Sequence, residues 1–249
     1  MKRLLVAISI LLLVSSFAFA GFERTLHYKF DVNSPAAMNL EGGIAFDYIN
    51  YNSDVDGWVL DGYAKYGITD KWELGLDLPY ISISPDVGED VDGIGDLNVW
   101  TKYRFLDESK TCMGLAAGVN VKLNTGDEDV VGTNDDTDWT PFIMASFKPA
   151  EQFALGAKLG YTFMGEDNTD DEFLYGVWGG YYVKPNFGIV AELYGNTQEG
   201  DDPLMLDAGV TYGVSENVGV TFGGGAGLND AAADWHIFAA IKGAIALGK

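Results

Sequence analysis

Apolar and polar residues alternate with a period of two along most of this chain. In one segment Trp72, Leu74, Leu76, Leu78 and Tyr80 fall on one side, with Glu73, Gly75 and Asp77 on the other. In the next, Leu97, Val99, Tyr103 and Phe105 oppose Asp96, Asn98, Trp100, Lys102 and Arg104. Further on, Leu115, Ala117, Val119, Val121 and Leu123 oppose Gly114, Ala116, Gly118, Asn120 and Lys122. Phe153, Leu155, Leu159, Tyr161 and Phe163 likewise oppose Gly156, Lys158, Gly160 and Thr162. Successive side chains of a strand point to opposite faces, so this period predicts strands. Twelve are expected, over 39–50, 58–68, 72–83, 95–106, 112–124, 139–148, 152–164, 172–184, 187–197, 204–214, 217–228 and 233–246. Strands of soluble proteins run to about 5–6 residues, whereas about 9–11 are needed to cross a bilayer at a tilt. The expected fold is all-β, a transmembrane antiparallel up-and-down β-barrel of about 12 strands, an even number as bacterial barrels have.

The connections support this. Long ones, at 51–57, 84–94, 125–138, 165–171, 198–203 and 229–233, carry twenty of the 37 acidic residues and none of the 15 Lys and Arg. Short ones, such as Thr69-Asp70-Lys71 and Lys184-Pro185-Asn186, carry most of the turn lysines. Long loops on one rim and tight turns on the other are the layout of an outer-membrane barrel. Trp58, Trp139 and Trp235 start strands beside long loops, while Trp72, Phe105, Phe147, Phe153 and Phe187 flank short turns. Amphipathic rings at both ends of the strands suit two membrane–water levels.

The start of the chain adds an address. Met1-Lys2-Arg3, an apolar run over 4–14 and Ala18-Phe19-Ala20 form a basic, hydrophobic and small-residue series, expected to be an export signal over 1–20 with the barrel over 21–249. Losing Lys2 and Arg3 takes the net charge from -22 to -24, with 13 basic against 37 acidic residues. Such a surface repels phosphate backbones and argues against nucleic-acid binding. The 33 aromatic residues argue against a disordered acidic chain. Cys112 is the only cysteine, so no intrachain disulfide or cysteine metal cluster is possible. The 32 glycines recur inside the apolar segments. Each would cost a helix up to ~1 kcal/mol relative to Ala, whereas barrel walls use them for curvature and close packing.

If the apolar face meets lipid, the other face lines the lumen. Candidate pore-lining residues are then Asp61 and Lys65, Glu73 and Asp77, Asp96, Lys102 and Arg104, and Lys122, Lys158 and Glu192. Glu41, Asp47, Asp207 and Lys242 share that face, as do Tyr63, Trp100 and Trp178. Charges of both signs in a narrow lumen should pair across strands. They form either a stiffening ion-paired filling or a path that selects solutes by size and charge. In the longest loop Asp127, Glu128, Asp129, Asp135 and Asp136 are candidate ligands for divalent cations, as Ca²⁺ and Mg²⁺ take oxygen donors. The repeated Asp-Val-Asp-Gly at 54–57 and 90–93 does not complete an EF-hand loop. A solvated acidic rim is the simpler reading, and it would enrich cations at the mouth. Enzymatic signatures are poor. His27 and His236 are the only histidines, no local signature supports a Ser–His pair, and the glycine run at 223–227 lacks the Lys-Ser/Thr of a phosphate loop. No cofactor is expected.

Three further stretches fit a family. Gly93-Ile94-Gly95-Asp96-Leu97, then Lys102-Tyr103-Arg104-Phe105-Leu106, then Leu123-Asn124-Thr125-Gly126-Asp127 resemble the G-x-G-D-L, K-Y-R-F and L-P-T-G-D series of the meta-pathway phenol-degradation family of outer-membrane proteins. Gly67-Ile68-Thr69-Asp70-Lys71-Trp72-Glu73-Leu74 resembles a turn and strand seen in many outer-membrane barrels. The resemblance covers 58–127 by motif and the rest as a strand pattern, with Asn124 in place of Pro and no aromatic at the final residue, Lys249. It implies a barrel among outer-membrane lipids, loosely akin to fatty-acid transporters, that passes small molecules, with hydrophobic or aromatic solutes as candidates. The alternative is a closed structural or surface-interaction barrel, its acidic loops meeting divalent cations, lipopolysaccharide or a partner.

Overall fold

The structure, a computed structural model, describes residues 32–130, 133, 136–166, 169–197 and 202–247. The expected export signal over 1–20 and Asp135 lie outside the described residues. In chain order the strands are β1 (Asn39–Asn52), β2 (Val55–Thr69), β3 (Trp72–Pro85), β4 (Val91–Ile94), β5 (Leu97–Leu106), β6 (Met113–Leu123) and β7 (Asp138–Ala150). They continue with β8 (Phe153–Thr162), β9 (Glu172–Lys184), β10 (Phe187–Asn196), β11 (Leu204–Gly213), β12 (Val218–Gly227) and β13 (Trp235–Ala246). One helical turn, α1 (Glu108–Thr111), joins β5 to β6. Every neighbour is antiparallel, and β1 pairs with both β2 and β13, which closes the sheet into a barrel.

β4 and β5 together make one stave of the wall. Lower β3 pairs with β5, from Trp72 opposite Tyr103 to Asp77 opposite Asn98. Upper β3 pairs with β4, from Tyr80 opposite Ile94 to Ile83 opposite Val91. The break falls at Pro79, which has no N–H for the ladder; its carbonyl still accepts from Gly95 N at 2.9 Å. Counted as staves, the barrel has the twelve that the alternation predicts.

Two connections differ from expectation. The supposed long loop at 51–57 is a two-residue turn, Ser53-Asp54, in which Asn52 Oδ1 accepts from Asp54 N at 2.9 Å. The supposed loop at 84–94 contains β4. Both errors have one cause. Ile49, Tyr51, Val55 and Ile83 pack together on the inner face, so the ladder runs on past the point where the outer face leaves lipid. Above that point the outward residues, such as Asn50, Asp56 and Ser84, are polar, and strand then reads like loop.

Burial alternates as the pattern requires. In β3 Glu73 and Asp77 are buried, while Trp72, Leu74, Leu76 and Leu78 are exposed. Leu155, Leu159, Ile189, Leu206, Phe222, Ile237 and Ile241 continue the exposed apolar band around the wall. So large a continuous apolar surface requires lipid as its solvent. Phe46, Trp58 and Tyr80 stack in a row near the long-loop rim, and Tyr103–Phe105 and Phe153–Tyr181 pair near the short-turn rim. Rings at both levels match the interfacial girdles of an outer-membrane barrel.

The wall glycines have a spatial reason. Gly75 lies opposite Trp100, Gly118 opposite Phe142, Gly156 opposite Trp178 and Gly223 opposite Phe238. At each of these glycines a Cβ would run into the facing ring. An inward aromatic therefore lies flat along the wall only where its cross-strand neighbour has no side chain, a pairing known as aromatic rescue of glycine.

Candidate functional site

The lumen is the site, and its polar residues are organised by strand register. Glu41 and Lys65 are direct cross-strand partners, and Lys65 Nζ lies 3.0 Å from Glu41 Oε1. Glu73 and Lys102 face each other across β3 and β5 at 3.3 Å, with relative exposures of 0% and 1%. Trp100 Nε1 donates to the same Glu73 oxygen at 3.1 Å. Lys122 faces Asp138 across β6 and β7 at 3.0 Å, with Asp96 Oδ2 4.0 Å away. Asn98 Nδ2 donates to Asp77 at 3.2 Å, and Asn120 Nδ2 donates to Asn98 at 3.1 Å. Burying such charges is costly, and partners this close offset the desolvation.

The residues named from alternation fall as follows. Asp61, Lys65, Glu73, Asp77, Lys102, Lys122, Lys158 and Glu192 are buried on the inner face. Asp96 is buried too but acts at the long-loop rim, where its Oδ1 accepts from Thr125 N at 3.0 Å and Gly126 N at 2.9 Å. Arg104 sits at the short-turn rim, donating to Asn33 Oδ1 at 2.9 Å and to the Asp70 carbonyl at 2.8 Å. Of the acidic loop residues, Asp127 is committed to structure: its Oδ2 accepts from Ile94 N at 2.8 Å and its own N–H donates to the Ile94 carbonyl. Glu128, Asp129 and Asp136 are exposed, and among the described residues no three His, Cys, Asp or Glu side chains converge as metal ligands.

Two features escaped the sequence reading. His236 is buried with Nδ1 3.1 Å from Asp47 Oδ1 and Nε2 2.8 Å from Asp207 Oδ1. Asp207 and His236 lie on either side of Gly225 in β12, where a Cβ would strike both. The three residues come from β1, β11 and β13, so only barrel closure brings them together; the inward phase of each strand was the one signal available. The second is the apolar layer that Phe142, Met144 and Leu174 build amid the charges with Tyr63, Trp100 and Ala116, of which only the last three were expected on that face. Phe142 and Met144 alternate with exposed Ile143, so nothing in polarity marks which side is lumen.

Comparison with known proteins places this geometry. The family profile described as "Putative MetA-pathway of phenol degradation" matches residues 78–241, from the middle of β3 into β13. The chain belongs to this family. The match starts at 78 rather than at 58, and it continues well past 127, where motifs alone stop. An outer membrane channel from Pseudomonas putida F1 superposes with a TM-score of 0.71 at 15% identity, covering 86% of this chain and 98% of that one. The NanC porin gives 0.58 at 10%, covering 82% and 98%. A TodX mutant described as a monoaromatic hydrocarbon channel gives 0.52 at 11%, covering 92% and 94%. At these identities the likeness is one of fold, that of an outer-membrane barrel.

The family motifs acquire a structural meaning here. The G-x-G-D-L stretch supplies Asp96, which receives the Thr125 and Gly126 amides, and Ile94, which is gripped by Asp127. Thr125 Oγ1 in turn accepts from Leu97 N at 2.9 Å. The two motifs thus latch the longest loop onto the break between β4 and β5, which otherwise would leave backbone groups of β4 unpaired.

Proposed function

We propose that this barrel is a passive outer-membrane channel for small molecules, hydrophobic or aromatic solutes among them. The observation that carries the reading is the apolar layer of Tyr63, Trp100, Phe142, Met144 and Leu174 inside a lumen whose lysines at 65, 102 and 122 are each paired with a carboxylate. Paired charges attract free ions weakly, whereas aromatic faces stack on flat apolar solutes. The family and the channel fold of its neighbours support this direction. Outside, exposed carboxylates such as Glu128, Asp129 and Asp136 would raise the local concentration of cations at the mouth.

Single-channel recording of the mature protein in a planar bilayer, with a salt gradient, tests the proposal. Discrete conductance steps with a cation-selective reversal potential are expected. A correctly folded barrel that stays silent would overturn it. The closed structural barrel is then the better reading, favoured by the near-complete burial of Lys65, Lys102, Lys122 and Trp100.

A further inference from the structure

The apolar layer of the lumen and the hydrogen-bonded side chains on its long-loop side meet at Asn120. This residue lies buried on the inner face of β6, with Trp100 opposite in β5 and Thr140 opposite in β7. Two positions nearer the short-turn rim is Gly118, whose missing side chain leaves room for the Phe142 ring. Trp100 and Phe142 both belong to the apolar layer. The hydrogen bonds around this seam run one way. Asn98 Nδ2 donates to Asp77 Oδ2 at 3.2 Å, and Asn120 Nδ2 donates to Asn98 Oδ1 at 3.1 Å. Trp100 Nε1 donates to Glu73 Oε1 at 3.1 Å, and Lys102 Nζ lies 3.3 Å from the same oxygen. The Thr140 and Thr162 hydroxyls are bonded to each other at 3.0 Å. Each of these nitrogens therefore has an acceptor within the wall. Two buried oxygens beside Trp100, Asn120 Oδ1 and Glu73 Oε2, have no donor among the described residues. Buried polar atoms of folded proteins are nearly always paired, so an acceptor left over calls for a reason.

We propose that Asn120 Oδ1 is the polar anchor of a solute subsite walled by Trp100 and Phe142, and that it selects flat apolar molecules bearing an O–H or N–H donor over ethers of similar shape. The inference rests on the reading of the lumen as a solute path and names what that path recognises. Three features of the seam support it. The run from Asp77 through Asn98 holds the Asn120 amide by its nitrogen, so the oxygen is the end left to a solute. The rings of Trp100 and Phe142 offer faces on which a flat molecule can stack. Met144, in the same layer, is unbranched and repacks readily, so the layer can adjust to the outline of its guest. Glu73 Oε2, on the β3 side of the indole, offers a second acceptor to a molecule with two donors. A site with a buried acceptor discriminates against an analogue that lacks the donor, because the acceptor is then left unpaired. One net hydrogen bond corresponds to about tenfold in affinity.

Equilibrium dialysis of the full mature barrel in phospholipid vesicles tests this, with naphthylmethanol and its methyl ether as probes. Protein-free vesicles give the partition of each probe into lipid, which is subtracted. Wild type should bind the alcohol about tenfold more tightly than the ether. Asn120→Leu should abolish that preference while changing the binding of the ether by less than about twofold. Asn120→Ala, which only removes atoms, repeats the measurement if the gel shift shows that the leucine variant does not fold. Equal affinities in wild type, no saturable binding of either probe, or a preference that survives the substitution would each overturn the subsite. The assay needs no conduction, so the two readings fail separately. A silent barrel that still prefers the alcohol would keep the subsite and lose the channel; a conducting barrel without the preference would do the reverse.

Discussion

The two arcs of the wall bury charge in different ways. From β1 to β7 each buried lysine meets a carboxylate directly opposite in register: Glu41 with Lys65, Glu73 with Lys102, Lys122 with Asp138. From β11 round to β1 the partner of the carboxylates is His236, which reaches Asp207 over the top of Gly225 and Asp47 on the diagonal, one inward step from its register partner Phe238. A lysine is a flexible stem with a point charge, so any facing carboxylate within reach will serve. An imidazole is short and rigid with two opposed nitrogens, so it needs a partner in a fixed place at each and an unobstructed route to both. The first arc therefore depends on which residues pair, and the second on what is missing between them.

The sharpest break of the first arc is Lys102→Met. It leaves the Glu73 carboxylate fully buried with Oε2 already without a hydrogen-bond partner. Removing one member of a buried pair costs about 3–5 kcal/mol, which urea unfolding in lipid vesicles, followed by the gel shift of the folded barrel, will register. Adding Glu73→Leu should recover most of the loss, because two apolar side chains need no partner. A double variant as unstable as the single one would show that packing around Lys102, not the stranded carboxylate, sets the cost.

The second arc should break without touching any charged residue. In Gly225→Ala the new methyl collides with Asp207 Oδ1 and His236 Nε2, pushing them apart. Overpacking and one lost charge-assisted bond together cost about 1–3 kcal/mol, read by the same unfolding assay. Gly62→Ala is the control, since nothing lies within 4 Å of its Cβ position, and it should be nearly neutral. Equal losses at both glycines would mean that backbone freedom, rather than the open route to His236, explains Gly225.

This difference also separates what the sequence made legible from what it did not. Strand phase is a local property, so Glu73, Lys102 and Lys122 could be placed on the inner face from their neighbours alone, and they lie there buried. The His236 bridge joins residues 189 positions apart through barrel closure, which no local pattern encodes. The course of the chain before β1 was left open by the sequence for a related reason. Val32 and Asn33 precede the first alternating segment and carry no periodicity, and Val32 fills space that the absent side chain of Gly114 leaves. The rim was misjudged at 51–57 and 84–94 because alternation in polarity marks a strand only while its outer face is in lipid.

A third treatment of charge, at the solvent-facing short-turn rim, should give the smallest effect and a different pH signature. Asp107 caps α1, with its Oδ1 accepting from Ser109 Oγ at 2.6 Å and Ser109 N at 3.1 Å. Arg104 Nη2 and Lys110 Nζ each lie 3.6 Å from its Oδ2. The Ser109 hydroxyl first, then the Ser109 amide and the two cations, hold this carboxyl below the usual carboxylate range, against a smaller opposing push from burial. A carboxyl whose folded pKa is depressed contributes stability above its unfolded value of about 3.9, and that contribution disappears as pH falls through the folded value. Asp107→Asn keeps a competent cap but loses the charge. Wild type should therefore exceed the variant in stability by a small margin at neutral pH, and the margin should shrink towards zero as pH falls below about 4. The buried pairs are shielded from solvent, whereas this one is screened, so raising the salt concentration at neutral pH should shrink the margin as well. A margin that persists in acid and in salt would mean that Asp107 acts through its hydrogen-bond geometry alone, and the Arg104 guanidinium that also grips Asn33 would then owe its position to the Asp70 carbonyl rather than to this carboxylate.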